Sequence, residues 1–100
     1  MIKHIVLWKL KESAEGADKR QNALKVKAML EALNGRIPGL LRLEVGLNFN
    51  PTDESADIAL YSEFESREAL DLYQRHPEHE AVKPFVGAVR LERRVVDYEI

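Results

Sequence analysis

The chain has 100 residues, 45% of them hydrophobic and 32% charged, with 15 Lys and Arg against 17 Asp and Glu for a formal net charge of −2. That balance lacks the basic excess a general nucleic-acid binder needs, and the absence of cysteine excludes disulfides, thiolate nucleophiles and Cys-based zinc or iron–sulfur sites. No apolar run approaches the ~20 residues of a membrane span, so neither nucleic acid nor membrane is expected as a partner.

The spacing predicts one domain over residues 1–100, with a first strand over residues 2–10. Ile2, His4, Val6, Trp8 and Leu10 share one face of it; Ile5 and Leu7 share the other with Lys3 and Lys9. The charges that interrupt this opening, with no cleavage region behind it, do not read as a signal peptide, and a cytoplasmic location is expected. A polar stretch leads to Asp18, a candidate N-cap. A helix then runs to about Leu33, with Val26, Leu30, Leu33 and Ile37 at helical spacing, stopped by Asn34-Gly35. Lys19, Arg20, Lys25 and Lys27 on this helix read as a solvated face.

Residues 40–49 alternate strictly: Leu41, Leu43, Val45, Leu47 and Phe49 point one way, Arg42, Glu44, Gly46 and Asn48 the other. After a turn at Asn50-Pro51-Thr52-Asp53, a third strand covers about 57–64, with Ile58, Leu60 and Phe64 on its core face. Ser66 starts a short helix through Tyr73. A second short helix carries Val82, Phe85 and Val86, and Pro84 must kink or split it. The last strand covers about 88–99, with Val89, Leu91, Val95, Val96 and Tyr98.

Strand, helix, two strands, helix, strand is the α+β, ferredoxin-like βαββαβ order, a four-stranded antiparallel sheet with helices on one face. The opposite face would carry Ile5, Leu7, Tyr61, Val96 and Tyr98 among charges. A contiguous apolar patch of that kind is unusual on a monomer, so a homodimer joined through the sheet faces is expected.

Two of the three histidines lie within Tyr73-Gln-Arg-His-Pro-Glu-His79. Proline is favoured at the first helical position, so His76 falls near an N-cap and His79 in the first turn beyond it. There the exposed N–H groups push an imidazole toward its neutral form, while Glu78 and Glu80 pull it back. A neutral imidazole beside a tyrosine hydroxyl suits acid–base chemistry; a solvated turn is the plain alternative. His76-x-x-His79 lacks the His-Glu-x-x-His pattern of a zinc helix, so no metal is expected. The serines lack a nucleophile elbow and the glycines form no phosphate loop, so no cofactor is expected.

His4-Ile-Val-Leu-Trp-Lys-Leu-Lys-Glu12, Ile37-Pro-Gly-Leu40, Gly46-Leu-Asn48, Tyr73-Gln-Arg-His-Pro-Glu-His79 and Val96-Asp-Tyr98, in this order, resemble the stress-responsive dimeric α/β-barrel (Dabb) proteins. The resemblance implies the ferredoxin-like fold and a face-to-face dimer, the dimeric α/β barrel. The family includes plant stress proteins, polyketide cyclases and many bacterial members without assigned activity. The cyclases' acting residues match His4, Tyr73 and His79 here; His76 matches a structural position, and with Trp8 it is the candidate for contact with substrate. On that footing His79 would act as base, with Tyr73 and His4 as orienting donors, in a cofactor-free cyclisation or isomerisation of a small, partly apolar molecule. A non-catalytic structural or stress-response protein, its polar residues closed into one hydrogen-bonded network, is the rival. A cofactor-independent monooxygenase is a third reading, by fold analogy.

Overall fold

A computed structural model describes all of residues 1–100. Four strands form the main antiparallel sheet: β1 (Ile2–Leu10), β4 (Leu40–Leu47), β5 (Ile58–Phe64) and β6 (Arg90–Glu99), in the order β4-β5-β1-β6. Between β1 and the first helix the chain makes a small hairpin, β2 (Ser13–Ala14) and β3 (Ala17–Asp18), where the sequence reads only as a polar connection. No helix is long and apolar enough to cross a membrane.

The first helix, α1 (Lys19–Glu31), begins at a capping box: the Asp18 carboxylate accepts from the Gln21 N–H at 2.8 Å, and the Gln21 side chain accepts from the Asp18 N–H at 3.0 Å. Asn22 is buried yet satisfied, because its amide donates to the Ala14 carbonyl at 2.9 Å and so ties α1 to the hairpin. Ile37 lies beyond the helix, yet it is buried and joins the core that α1 seals against β4 and β5. Gly39, at φ +82°, lets the connection pass against the next helix: a methyl group there would stand 2.5 Å from the Cβ of Ala69.

The register puts Ile2, His4, Val6 and Trp8 of β1 beside Phe64, Ser62, Leu60 and Ile58 of β5. On the other side of β1, Val6 faces Val95 and Ile5 faces Val96. Strict alternation over 40–49 does not hold. A bulge between Leu40 and Arg42 turns Leu41 outward, half exposed at 50%, and Phe49 lies past the strand end, 98% exposed. The last strand also differs from expectation. It begins at Arg90, and Leu91, Val95, Val96 and Tyr98 are all substantially exposed, because β6 is an edge strand that the helices do not cover.

The connection from β5 to β6 is three short helices: α2 (Arg67–Arg75), α3 (Pro77–Glu80) and α4 (Lys83–Val89). Pro84 splits the segment rather than kinking it, since it lies in the first turn of α4, where its missing N–H leaves no helical bond unmade. On the side of the sheet away from the helices, several polar groups pair within the chain: Arg42 with Glu44 at 2.6 Å, Lys3 with Glu63 at 4.0 Å, and the Tyr61 hydroxyl donating to Glu63 at 2.6 Å, while Arg94 opposite Leu7 makes no ion pair.

Candidate functional site

The Ser66 hydroxyl caps α2 by accepting from the Ala69 N–H at 3.1 Å. Ala69 and Tyr73, one turn apart, form its buried stripe. The helix must end before Pro77, because a residue preceding proline is driven out of the helical region; His76 is extended, at φ −65° and ψ 134°. His76 thus closes α2 and opens α3, its Nδ1 accepting from the Glu78 N–H at 3.1 Å. The single turn of α3 then brings His79 back onto Tyr73, the rings stacked with centroids 4.1 Å apart and planes at 23°.

From the sheet, His4 rises at the centre of β1, 3% exposed. Its register partners are Ser62 and Asp97. The Ser62 hydroxyl donates to the His4 carbonyl at 3.0 Å, and His4 Nδ1 is hydrogen-bonded to the Asp97 carboxylate. An ionised carboxylate only accepts, so Nδ1 carries the proton and Nε2 is left for other work. Phe64 and Tyr73 complete the aromatic cluster: Tyr73 stands 5.0 Å from Phe64 and 6.3 Å from the His4 ring.

Beside these groups lies a cavity of about 330 Å³ between the sheet and the helices, which Leu30 of α1 and Leu60 of β5 also border. That is at the small end of the ~300–1,000 Å³ range of ligand sites. His4, Trp8, Tyr73 and His79 all line it, as does Val6; exposed Lys83, Arg90 and Arg93 form its rim. His76 is not in the lining, so it contacts backbone rather than the cavity and keeps only the structural post. Glu78, which the sequence sets in the same turn as His79, is held by Arg36 with Nε donating at 2.7 Å.

Two buried side-chain nitrogens make no well-formed hydrogen bond, Trp8 Nε1 and His79 Nδ1, although the Gln74 and Tyr73 carbonyls lie near the His79 ring, and both belong to cavity-lining residues. Such orphans normally cost 1–3 kcal/mol or so each, and natural proteins carry few of them. Burial pushes the Tyr73 hydroxyl far above the ordinary phenol range, with Arg93 pulling only slightly back, so Tyr73 is a permanent donor. His79 is pushed down from 6.5 to about 4, first by burial and then by the Lys83 charge, against the carbonyls of Gln74 and Tyr73 and the carboxylate of Glu80. The imidazole is neutral, as its place in a first helical turn suggests, but desolvation rather than the helix end is the main cause.

Asp97, Arg93, Arg90 and Lys83 are missed by sequence reasoning. Asp97 lies 93 residues from His4, and only the β1–β6 register joins them. A signal existed in the alternation of β6, which puts Arg93, Val95 and Asp97 on one face, but alternation alone does not say which face that is.

The chain resembles proteins from distant bacteria and from a plant. A dimeric protein of unknown function with a ferredoxin-like fold from Bacteroides fragilis is 39% identical and superposes with a TM-score of 0.87, over 99% of this chain and 95% of that one. An uncharacterized protein of Streptomyces coelicolor is 35% identical over 81 residues, 81% of each chain. The hydroxynitrile lyase of Passiflora edulis shares the fold at 19% identity, with a TM-score of 0.79 over 99% of this chain and 92% of that one. Residues 2–100 match the stress-responsive A/B barrel domain, and the chain therefore belongs to that family, Dabb.

Proposed function

We propose that the protein is a homodimer in which each protomer binds a small, partly apolar molecule in the cavity between sheet and helices and moves a proton on it without a cofactor. The observation that carries this reading is the convergence on one cavity of His4 with its Asp97 anchor, the Tyr73 donor and the neutral His79. The rival reading, a closed and satisfied polar network, is disfavoured by the Trp8 indole N–H, which is buried without a partner.

The division of labour follows from the environments. A base works best with a conjugate acid near the working pH, and His79, held at about 4, is poorly matched to that task. His4 takes the proton through Nε2, and Asp97 stabilises the imidazolium that results, as a carboxylate behind an imidazole does in hydrolytic triads. Tyr73 donates to the oxygen on which charge develops. His79 supports the Tyr73 ring by stacking and offers a further polar contact. The Kemp elimination of 5-nitrobenzisoxazole, a proton abstraction from carbon, tests the base. The protein is expected to outpace an equal concentration of imidazole by ~10²-fold or more. His4→Ala should abolish the excess and Asp97→Asn should remove most of it. A wild-type rate equal to that of free imidazole, or an unaffected His4→Ala variant, rules the mechanism out.

The dimer reading rests on the half-exposed apolar residues of the helix-free face, Leu7, Val96 and Tyr98, among which Lys3 and Arg42 are paired within the chain and Arg94 and Glu92 are left for contacts across the interface. Joining two such faces removes the patch from water. Light scattering should give twice the 11.5 kDa chain mass, and Val96→Glu should return it to one chain; a wild-type monomer at micromolar concentration would refute the arrangement.

A further inference from the structure

We propose that the molecule held in the cavity carries an oxyanion, a carboxylate or a phosphate, which Arg93 and Arg90 receive at the rim. This rests on the cavity being a ligand site and adds the charge of what enters it. The chain has a net charge of −2, yet the cavity is bordered by Lys83, Arg90 and Arg93 and by no Asp or Glu. Lys83 is already engaged: its Nζ donates to the Gln74 carbonyl at 2.8 Å and pairs with Glu80 at 2.5 Å. Arg36, Arg42, Arg67 and Arg75 each hold a carboxylate; Arg90 and Arg93 make no ion pair, and unlike Arg20 and Arg94, which are also free of one, they border the cavity.

The carboxylates that could have neutralised Arg93 are committed elsewhere. On its own face of β6, Asp97 is bound to His4, and Glu99 is held by Arg67 at 3.1 Å. The register sets Arg93 opposite Trp8, on the helix side of the sheet. Its charge is felt by the Tyr73 hydroxyl. A guanidinium presents a planar fork that matches a carboxylate or phosphate edge, and a cleft with low-dielectric walls concentrates such a field. The arrangement therefore sorts a ligand end to end: its apolar body lies over Val6, Val82 and Val86, its reacting atom lies near His4 and Tyr73, and its anionic end points out between the arginines.

Trp8 is the chain's single tryptophan, so its indole N–H gives one proton–nitrogen resonance that reports on the cavity directly. Titrations would follow that resonance with 4-tert-butylbenzoate, 4-tert-butylphenyl phosphate and the uncharged 4-tert-butylbenzamide. The better anion is expected to bind about tenfold or more tighter than the amide, with the margin shrinking at high salt; which anion wins identifies the oxyanion. Arg93→Gln should bring the anion down to the amide's affinity and Arg93→Lys should restore part of the margin. Arg20→Gln, which removes a charge from the exposed side of α1, should change nothing. If amide and anions bind alike, or Arg93→Gln and Arg90→Gln leave the margin intact, the charge assignment is overturned and the cavity reading survives. If no probe moves the Trp8 resonance, the cavity reading itself fails and takes this inference with it.

Discussion

Over β4 the sheet is covered by α1, a single helix of 13 residues with a capping box; toward β1 the cover is α2, α3 and α4, of 9, 4 and 7 residues, each interruption marked by a proline. Under α1 the packing is aliphatic and closed: Val26, Leu43, Val45 and Ile58 are all but inaccessible. Under the short helices the same face of the same sheet holds a histidine–aspartate pair, a tyrosine, orphaned ring nitrogens and a cavity. A chain of this size has one core, and its net stability is a small remainder of large opposing terms. It concentrates apolar burial in one half, and that half carries the cost of leaving polar groups unpaired in the other.

Mutations that act on one half and not the other test this contrast. The largest effect is expected from Leu43→Ala, which removes a buried side chain from the closed packing beneath α1; urea unfolding should show a loss of about 2–5 kcal/mol. A loss below about 1 kcal/mol would mean that the two halves do not differ in this way.

A smaller effect, specific to the cavity, concerns pH. The folded value of His79, about 4, lies below its ordinary 6.5. Between those values the unfolded chain takes up a proton that the folded chain refuses. The contribution is therefore complete above pH 6.5 and is lost as the pH falls toward 4. Because the ring is only partly enclosed, we expect the loss to be on the order of 1–2 kcal/mol. His79→Gln should flatten the stability–pH curve across that window by this amount, and superimposable wild-type and variant curves would show that the ring is not desolvated.

The smallest effect comes from the glycines. Gly87, helical and at the cavity edge, has nothing within 4 Å of an added methyl, while Gly39 is blocked by Ala69. Gly87→Ala should therefore raise stability by about 0.4–1 kcal/mol, and Gly39→Ala should lower it. A loss at Gly87 would show that this half is closed in solution.

Much of the fold was legible in the sequence because its signals are local. Alternation in β1 and β5, Asp18 and Ser66 as caps, and the proline at the head of α3 each act within a few residues. What escaped depends on pairs distant in the chain. The bulge that turns out Leu41 is a property of the β4–β5 register. The exposure of β6 follows from its place at the sheet edge, which its apolar composition conceals. Of the site, His4, Trp8, Tyr73 and His79 were legible as residues, whereas Asp97 and the rim arginines were not, because a partner 93 positions away leaves no mark on the local pattern.

The position of β1 has a consequence for the order of events during synthesis. It is made before the other three strands of its sheet, yet it lies between β5 and β6. Its amide groups have no sheet partner until β5 and β6 emerge, and His4 meets Asp97 only once β6 has been made. Contacts of such long separation form slowly. The nascent polypeptide can assemble α1 against β4 and β5 beforehand, but the cavity is not closed until β6 docks, so a ribosome stalled before residue 90 displays a partial scaffold in which His4 lacks its carboxylate partner.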